Sequence, residues 1–319
     1  MPRFDVTTIG EGQLRFSVPA GMMLEQAKQF DVNISGTEGN VASTLSRLGW
    51  RCGWVSALPD TPLGRRVAGD YRFAGLDLSA VKWSHDHRLA TYYVEYAVPP
   101  RSTQVYYDRR GTCFTQLTPE DIDWDYVLDT RLLHLSGITV GLCGNSEAVL
   151  REAASRAKAA GVPVSFDMNY RSRLWSPEAA KEAVLPLLRD LDILLCGRGD
   201  AQTVFGCSGE PEAMIAQLAE HTRARKIIMS MSHEGLMGWD GERYTHVPAR
   251  PVVILDRIGA GDSMVAGVLH GILQDDFATG LHYGVLCAAL SLSQYGDQPV
   301  VSRLELDRLL DNAHSDIVR

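Results

Sequence analysis

Seven consecutive residues, Asp256-Arg257-Ile258-Gly259-Ala260-Gly261-Asp262, set two carboxylates at either end of a run of small residues. The apolar run Val252-Val253-Ile254-Leu255 precedes them, and Ser263-Met264-Val265-Ala266-Gly267-Val268-Leu269 follows. That order predicts a strand, a tight glycine turn and the first turn of a helix. Backbone N–H groups at a helix start lack intrahelical acceptors and carry partial positive charge. Gly259, Ala260 and Gly261 are small enough for a phosphate to approach those amides closely. Asp262 adds a carboxylate beside this anion hole. A carboxylate repels a stored phosphate, so either helix capping or catalysis must account for it. As a general base, Asp262 would take the proton of a substrate hydroxyl that attacks a phosphoryl group. The pattern reads as phosphoryl transfer to an alcohol, with Asp256 helping to hold the turn.

The rest of the chain must position that turn. Val41, Leu45 and Leu48 recur at helical spacing, and Gly49 closes the helix. Cys52 to Leu58, Arg131 to Gly137, Val162 to Asp167, Asp192 to Cys196 and Lys226 to Met231 read as buried strands. Helical patterns lie between them, including Gly144 to Ala160. Ser176-Pro177-Glu178 opens another helix, and Ser302 with Glu305 forms a capping box near the end. Strands alternating with helices predict an α/β fold with a parallel sheet covered on both faces. Ligands in such folds bind beyond the carboxyl ends of the strands.

Two stretches break the rhythm. Gln13 to Ser35 and Leu89 to Gln116 alternate like antiparallel strands, with a turn near Arg101-Ser102. Residues 12–35 and 89–116 are too few to bury a core and are expected to form a lid over the sheet edge. A lid suits phosphoryl transfer because water competes as an acceptor. An exposed lid sheet also offers an edge through which a second copy could pair, giving a homo-oligomer.

With 319 residues, 45% hydrophobic and 22% charged, the chain fits one globular domain over 1–319. A net charge of −8 argues against a nucleic-acid surface. The absence of an eighteen-residue apolar run or signal-type N-terminus predicts a cytoplasmic protein that does not engage a membrane. The six cysteines, 52, 113, 143, 196, 207 and 287, include no C-x-x-C pair, so disulfides and zinc are not expected. The nine histidines show no paired metal spacing.

The segment Asp256–Asp262 resembles the signature of the ribokinase-like (PfkB) sugar kinases, Asp-Thr-x-Gly-Ala-Gly-Asp, with Arg257 where threonine is usual. Ser35-Gly36-Thr37-Glu38-Gly39-Asn40-Val41-Ala42 resembles the family's N-terminal sugar-binding element, matching at Gly36 and Asn40. An asparagine amide both donates and accepts, which suits a diol. One branch, the 2-keto-3-deoxygluconate kinases, is more similar still. Its likeness extends to Gly10–Arg15, Ala90–Tyr96, Tyr106–Gly111, Phe166–Arg171, Leu174-Trp175 and the ending around Gly296-Asp297. The resemblance implies a ribokinase-like, mostly parallel sheet flanked by helices, with a small β lid. It also implies ATP and Mg²⁺, and a monovalent cation is required by some relatives. It places Tyr92, Tyr107, Arg109 and Arg171 at ligand positions. A planar guanidinium binds a carboxylate through two parallel hydrogen bonds, which suits a sugar acid. Surface ion pairing or aromatic packing is the alternative for each arginine.

The nucleotide side departs from the family. Gly197-Arg198-Gly199-Asp200 stands where Asn-x-x-Glu is usual, so Asp200 keeps the carboxylate while Gly197 lacks the amide. Ser230-Met231-Ser232-His233-Glu234-Gly235 stands where Lys-x-Gly-x-x-Gly is common. Asp200, Ser230, Ser232 and Gly235, with Gly261, are the implied nucleotide contacts, and Arg198 could compensate by touching phosphate. The leading expectation is an ATP-dependent kinase acting on the terminal hydroxyl of 2-keto-3-deoxygluconate. The galactonate-derived epimer fits equally. A neutral-sugar or nucleoside kinase is one alternative, and a sugar-binding regulator without catalysis is another, although an intact Asp262 argues against the latter. A dinucleotide oxidoreductase is set aside because Gly10-Glu11-Gly12 is followed by Gln13-Leu14-Arg15, without a third glycine.

Overall fold

The computed structural model describes residues 1–96, 98–189 and 191–311. Its strands in chain order are β1 (Val6–Ile9), β2 (Gln13–Val18), β3 (Asp31–Ser35), β4 (Cys52–Val55), β5 (Ala57–Pro59), β6 (Lys82–Ser84) and β7 (Ala90–Glu95). They continue as β8 (Gln104–Asp108), β9 (Leu133–Ser136), β10 (Val164–Asp167), β11 (Ile193–Gly197), β12 (Lys226–Ser230), β13 (Leu236–Trp239) and β14 (Tyr244–Val247). Eight of them form one sheet in the order β14-β13-β12-β11-β10-β9-β1-β4. From β12 to β4 the neighbours run parallel, while β13 and β14 add an antiparallel edge.

Both faces of this sheet are apolar for the reason period-two strands dictate. Along β11, Ile193 and Leu195 join the core under the helix Ala260–Ile272, whereas Leu194 and Cys196 join the core under the helices Ser146–Ala160 and Pro177–Leu188. Helix ends are set locally. Ser176 Oγ accepts from the Ala179 amide and Ser302 Oγ from the Glu305 amide, while Thr61 caps Pro62–Phe73. None of the described helices is long and apolar enough to cross a membrane.

A second, four-stranded sheet lies beside the first in the order β3-β2-β7-β8. Each of the two segments that broke the sequence rhythm folds as an antiparallel hairpin, β2 with β3 and β7 with β8. The hairpins are then joined by a parallel pairing that runs from Gln13↔Ala90 to Val18↔Glu95. The architecture is the expected one, a mostly parallel sheet flanked by helices with a small lid-like sheet.

Two local expectations are corrected. Cys52 to Leu58 is two strands, because Ser56 separates β4, in the large sheet, from β5, which pairs with β6. The apolar run Val252–Leu255 is no strand at all. Its hydrogen bonds go to a helix end instead, with the amides of Leu255 and Asp256 donating to the carbonyl of Leu292. Val253, Ile254 and Leu255 are consequently exposed, Val253 at 79%.

Candidate active site

The glycine turn and the carboxyl ends of β10, β11 and β12 meet in a cleft of about 430 Å³, with the small sheet as its other wall. Tyr92, Val105, Tyr107 and Arg109 line it from β7, β8 and just beyond. Asp167, Asn169, Arg171, Gly197, Asp200 and Ser230 line it from the large sheet, and Gly259, Gly261 and Asp262 from the turn. A larger cleft of about 660 Å³ opens at the opposite strand ends, with Lys158, Arg189 and Arg223 among its lining. Three helices end there, and basic side chains complement the carbonyls of helix C-termini.

The turn has the predicted form. Gly259 is the N-cap of the helix Ala260–Ile272 and holds φ at 88°, in the left-handed region. A Cβ on Gly259 would fall 2.1 Å from the Asp297 carbonyl oxygen, so only glycine fits there. At Gly261 a Cβ would meet nothing within 4 Å, which leaves the first-turn amides open to the cleft.

Asp262 is 8% exposed, and its Oδ2 accepts a 2.7 Å hydrogen bond from the Asn40 amide. Burial pushes its carboxyl up to about 7, and repulsion by Asp297 adds to this. The Asn40 hydrogen bond and the positive charge of Arg171 partly offset the rise. A carboxylate so poised suits proton abstraction near neutral pH.

Asn40 and Gly36 are placed differently from what the resemblance implied. Asn40 lies in the first turn of the helix Thr37–Arg47, with its Nδ2 donating to Asp262 and its Oδ1 accepting from Gln298 at 3.1 Å. Its side chain is therefore held on Asp262 and Gln298. A Cβ at Gly36 would strike the Glu11 carbonyl oxygen at 2.3 Å, so this glycine serves close packing. Ser35 and Thr37, their chain neighbours, line the cleft.

The two arginines also differ. Arg109 is 8% exposed and donates from Nε to Glu11 Oε2 at 2.8 Å, with Thr112 on the other carboxylate oxygen. Arg171 is exposed, lines the cleft, and by its charge offsets part of the rise that burial imposes on the carboxyls of Asp262, Asp167 and Asp200. Tyr92 is buried, with its hydroxyl donating to Asp297 Oδ2 at 2.7 Å, whereas Tyr107 is 40% exposed.

On the nucleotide side Asp200 accepts from the Tyr170 amide at 3.1 Å, and burial raises its carboxyl. Ser230 lines the cleft, but Ser232 and Gly235 lie outside its lining. Ser232 occupies the left-handed region at φ 56°, where glycine would be unstrained, and a Cβ at Gly235 would strike the Val247 carbonyl. Arg198 is bonded to this loop. Its guanidinium pairs with both Glu234 oxygens, at 2.7 and 2.9 Å, and so pins this loop.

Asp167 lies in the Phe166–Arg171 stretch that resembles the family but carried no site role in the sequence, although its place at the end of a parallel strand was a usable signal. Burial pushes it up to about 8, with repulsion from Asp262 and Asp200. Asn169 beside it has a buried Oδ1 without a hydrogen-bond partner and a positive φ of 40°. Mutually repelling carboxylates next to an orphaned carbonyl oxygen form an oxygen-rich donor set that would accept a hard divalent cation with its water. No cluster of three or more metal-ligating side chains occurs among the described residues, so such an ion would keep much of its hydration.

Known proteins are similar to this chain along nearly its whole length. A protein named 2-dehydro-3-deoxygalactonokinase from Haloferax volcanii is 33% identical, with 99% of each chain covered. A 2-dehydro-3-deoxygluconokinase from Thermoproteus tenax is 27% identical over 96% of this chain and 94% of its own. The crystal structure of 2-dehydro-3-deoxygluconokinase from Thermotoga maritima superposes with a TM-score of 0.92 at 29% identity, covering 97% and 98% of the two chains. The pattern of the pfkB family carbohydrate kinases matches residues 6–303, which span the glycine turn, Asp262 and both walls of the cleft. The chain is a carbohydrate kinase and belongs to the pfkB family.

Proposed function

We propose that this protein is an ATP-dependent kinase of a sugar acid, phosphorylating the terminal hydroxyl of 2-keto-3-deoxygluconate or its galactonate-derived epimer. The observation that carries this reading is Asp262, a carboxyl poised near neutrality beside open first-turn amides, facing a cleft lined by Arg109 and Arg171. The names of the relatives, gluconate- and galactonate-derived alike, support the substrate class.

In this mechanism the exposed Arg171 binds the substrate carboxylate, with Arg109, Tyr107 and the Tyr92 ring forming the rest of that wall. Asp262 takes the proton of the terminal hydroxyl as that oxygen attacks the γ-phosphorus, the bond from that phosphorus to the β,γ-bridging oxygen breaks, and ADP leaves. The amides at 259–261 hold the charge that develops on the transferred phosphoryl group. Asp200 and Ser230 face the nucleotide phosphates, with Ser232 and Gly235 on the loop behind, and Asp167 and Asn169 would hold Mg²⁺ through water. When bound, Mg²⁺ neutralises the phosphate oxygens. The small sheet closes over the cleft as a lid and excludes water.

Exposed Phe30 and Met22 beside that sheet suit pairing with a second copy. Six unpaired cysteines suit a cytoplasmic setting. The test is coupled ADP release with Mg-ATP against both keto-deoxy acids, ribose, fructose and adenosine, in potassium and in sodium buffer. Turnover on the acids alone supports the reading. Turnover on a neutral sugar alone removes the arginine argument, and sugar binding without turnover would identify a regulator.

A further inference from the structure

Arg15 is a fully buried cation in the middle of β2, with a side chain only 1% exposed. Its guanidinium is shared between two carboxylates that are buried just as deeply, Asp256 on one nitrogen and Asp297 on the other, the latter at 2.7 Å. Both carboxylates have further partners. Asp256 accepts from the Tyr96 hydroxyl at 2.6 Å and from the amides of Ile258 and Gly296 at 3.0 and 3.3 Å. Asp297 accepts from the Tyr92 hydroxyl at 2.7 Å. The Tyr96 ring covers the guanidinium at 5.4 Å.

The connectivity matters more than the ion pairs themselves. Arg15, Tyr92 and Tyr96 belong to the lid-like sheet or its margin, Asp256 opens the anion turn, and the Asp297 backbone packs against Gly259. One guanidinium thus joins the lid sheet, the turn whose amides face the cleft and the loop that supports that turn. Buried ion pairs add little stability over apolar packing of the same volume, so stability alone is a poor reason for this one.

We propose that Arg15 is a positioning residue for phosphoryl transfer, fixing the 259–262 turn relative to the lid and neutralising Asp297 where it faces the base. This rests on the kinase reading above. The groups facing Asp262 are Asn40 and Glu38 from one helix, Arg171 and Asp167 from the end of β10, and Asp297. Without Arg15, Asp297 stays buried and uncompensated, and its repulsion raises Asp262 further.

The experiment compares wild type with R15M and R15K for kcat, KM, pH–rate profile and amide hydrogen exchange over 256–263. For R15M we expect kcat to fall about 100-fold, the scale of a small misplacement at the reacting centre. KM for the sugar acid should change little, and the acid limb of kcat should move to higher pH. Added guanidinium ion at a non-denaturing concentration should restore part of kcat, where urea or sodium chloride does not. Exchange should quicken at 256–263 ahead of the large sheet. A folded R15M with unchanged kcat, acid limb and exchange overturns the proposal. If R15M does not fold, R15K, which keeps the charge but loses the fork, carries the same tests. A wild type without turnover defeats the kinase reading alone; exchange at the turn then decides this one.

Discussion

The side-chain amide of Asn40 donates to Oδ2 of Asp262 across 2.7 Å, joining the first turn of one helix to the first turn of another. The bond is aimed at the ionised form of the carboxylate and opposes the burial that would keep it protonated. Asn40→Ala should therefore move the acid limb of kcat to higher pH and lower kcat at neutral pH by about tenfold, consistent with loss of a hydrogen bond to a charged group. A profile superimposable on wild type would show that Asn40 does not tune the base.

Asp262→Asn removes the proton acceptor while keeping size and shape. The expected loss in kcat is about 10²–10⁴-fold, with KM for both substrates nearly unchanged. In the wild type, kcat should fall as pH drops through about 7, where the base becomes protonated. Steady-state kinetics on the pure variant decide this, and activity within tenfold of wild type would leave Asp262 as a helix cap.

Stability should depend on pH in the unusual direction. Glu38 and Asp167 are both raised to about 8, and Asp262 to about 7, in each case first by burial. Each therefore binds a proton in the folded state that the unfolded chain has already lost, so stability falls as pH rises through this window. Burial holds His134 and His270 low, to about 3 and 4, so they act in the opposite sense below about pH 6.5. The melting temperature of the ligand-free protein should therefore drop most clearly between about pH 6.5 and 8, and Glu38→Gln should flatten that slope. A flat or rising wild-type profile across the same range contradicts the assignment.

The arginines separate by their partners. Arg171→Met should weaken sugar-acid binding by about 1.5–3 kcal/mol, read in KM, and, because its charge favours the ionised Asp262, should move the acid limb of kcat to higher pH for every substrate. Arg109→Met strands Glu11, which is 2% exposed, and should lower stability by about 3–5 kcal/mol in denaturant titration. Equal effects of the two substitutions on KM and stability would refute this division.

The large sheet and the glycine turn were legible because their signals are local. Period-two apolar runs, helix caps and a short glycine segment each depend on near neighbours in the chain. Val252–Leu255 failed because an apolar run has no local mark that distinguishes a paired strand from a segment bonded to a helix end. Asn40 and Arg109 had the right residue types, but their partners, Asp262 and Glu11, lie 222 and 98 residues away. No spacing rule reaches that far. The same distance hid the roles of Gln298, Asp297 and Arg15, which become visible only when the fold brings them together.

The contact between Gly259 and the Asp297 backbone, with Arg15 bonded to that residue across 282 positions, has a consequence for synthesis on the ribosome. The seven-residue turn can be translated in full and still lack the support that gives it shape. Asp297 must first leave the exit tunnel and meet a strand made 282 residues earlier. Chains emerge at about 5–20 residues per second, so a nascent chain holds every residue of the turn for some seconds before it can hold a working one. A chain that stops short of Asp297 therefore has the sequence of the turn without the contacts that support it.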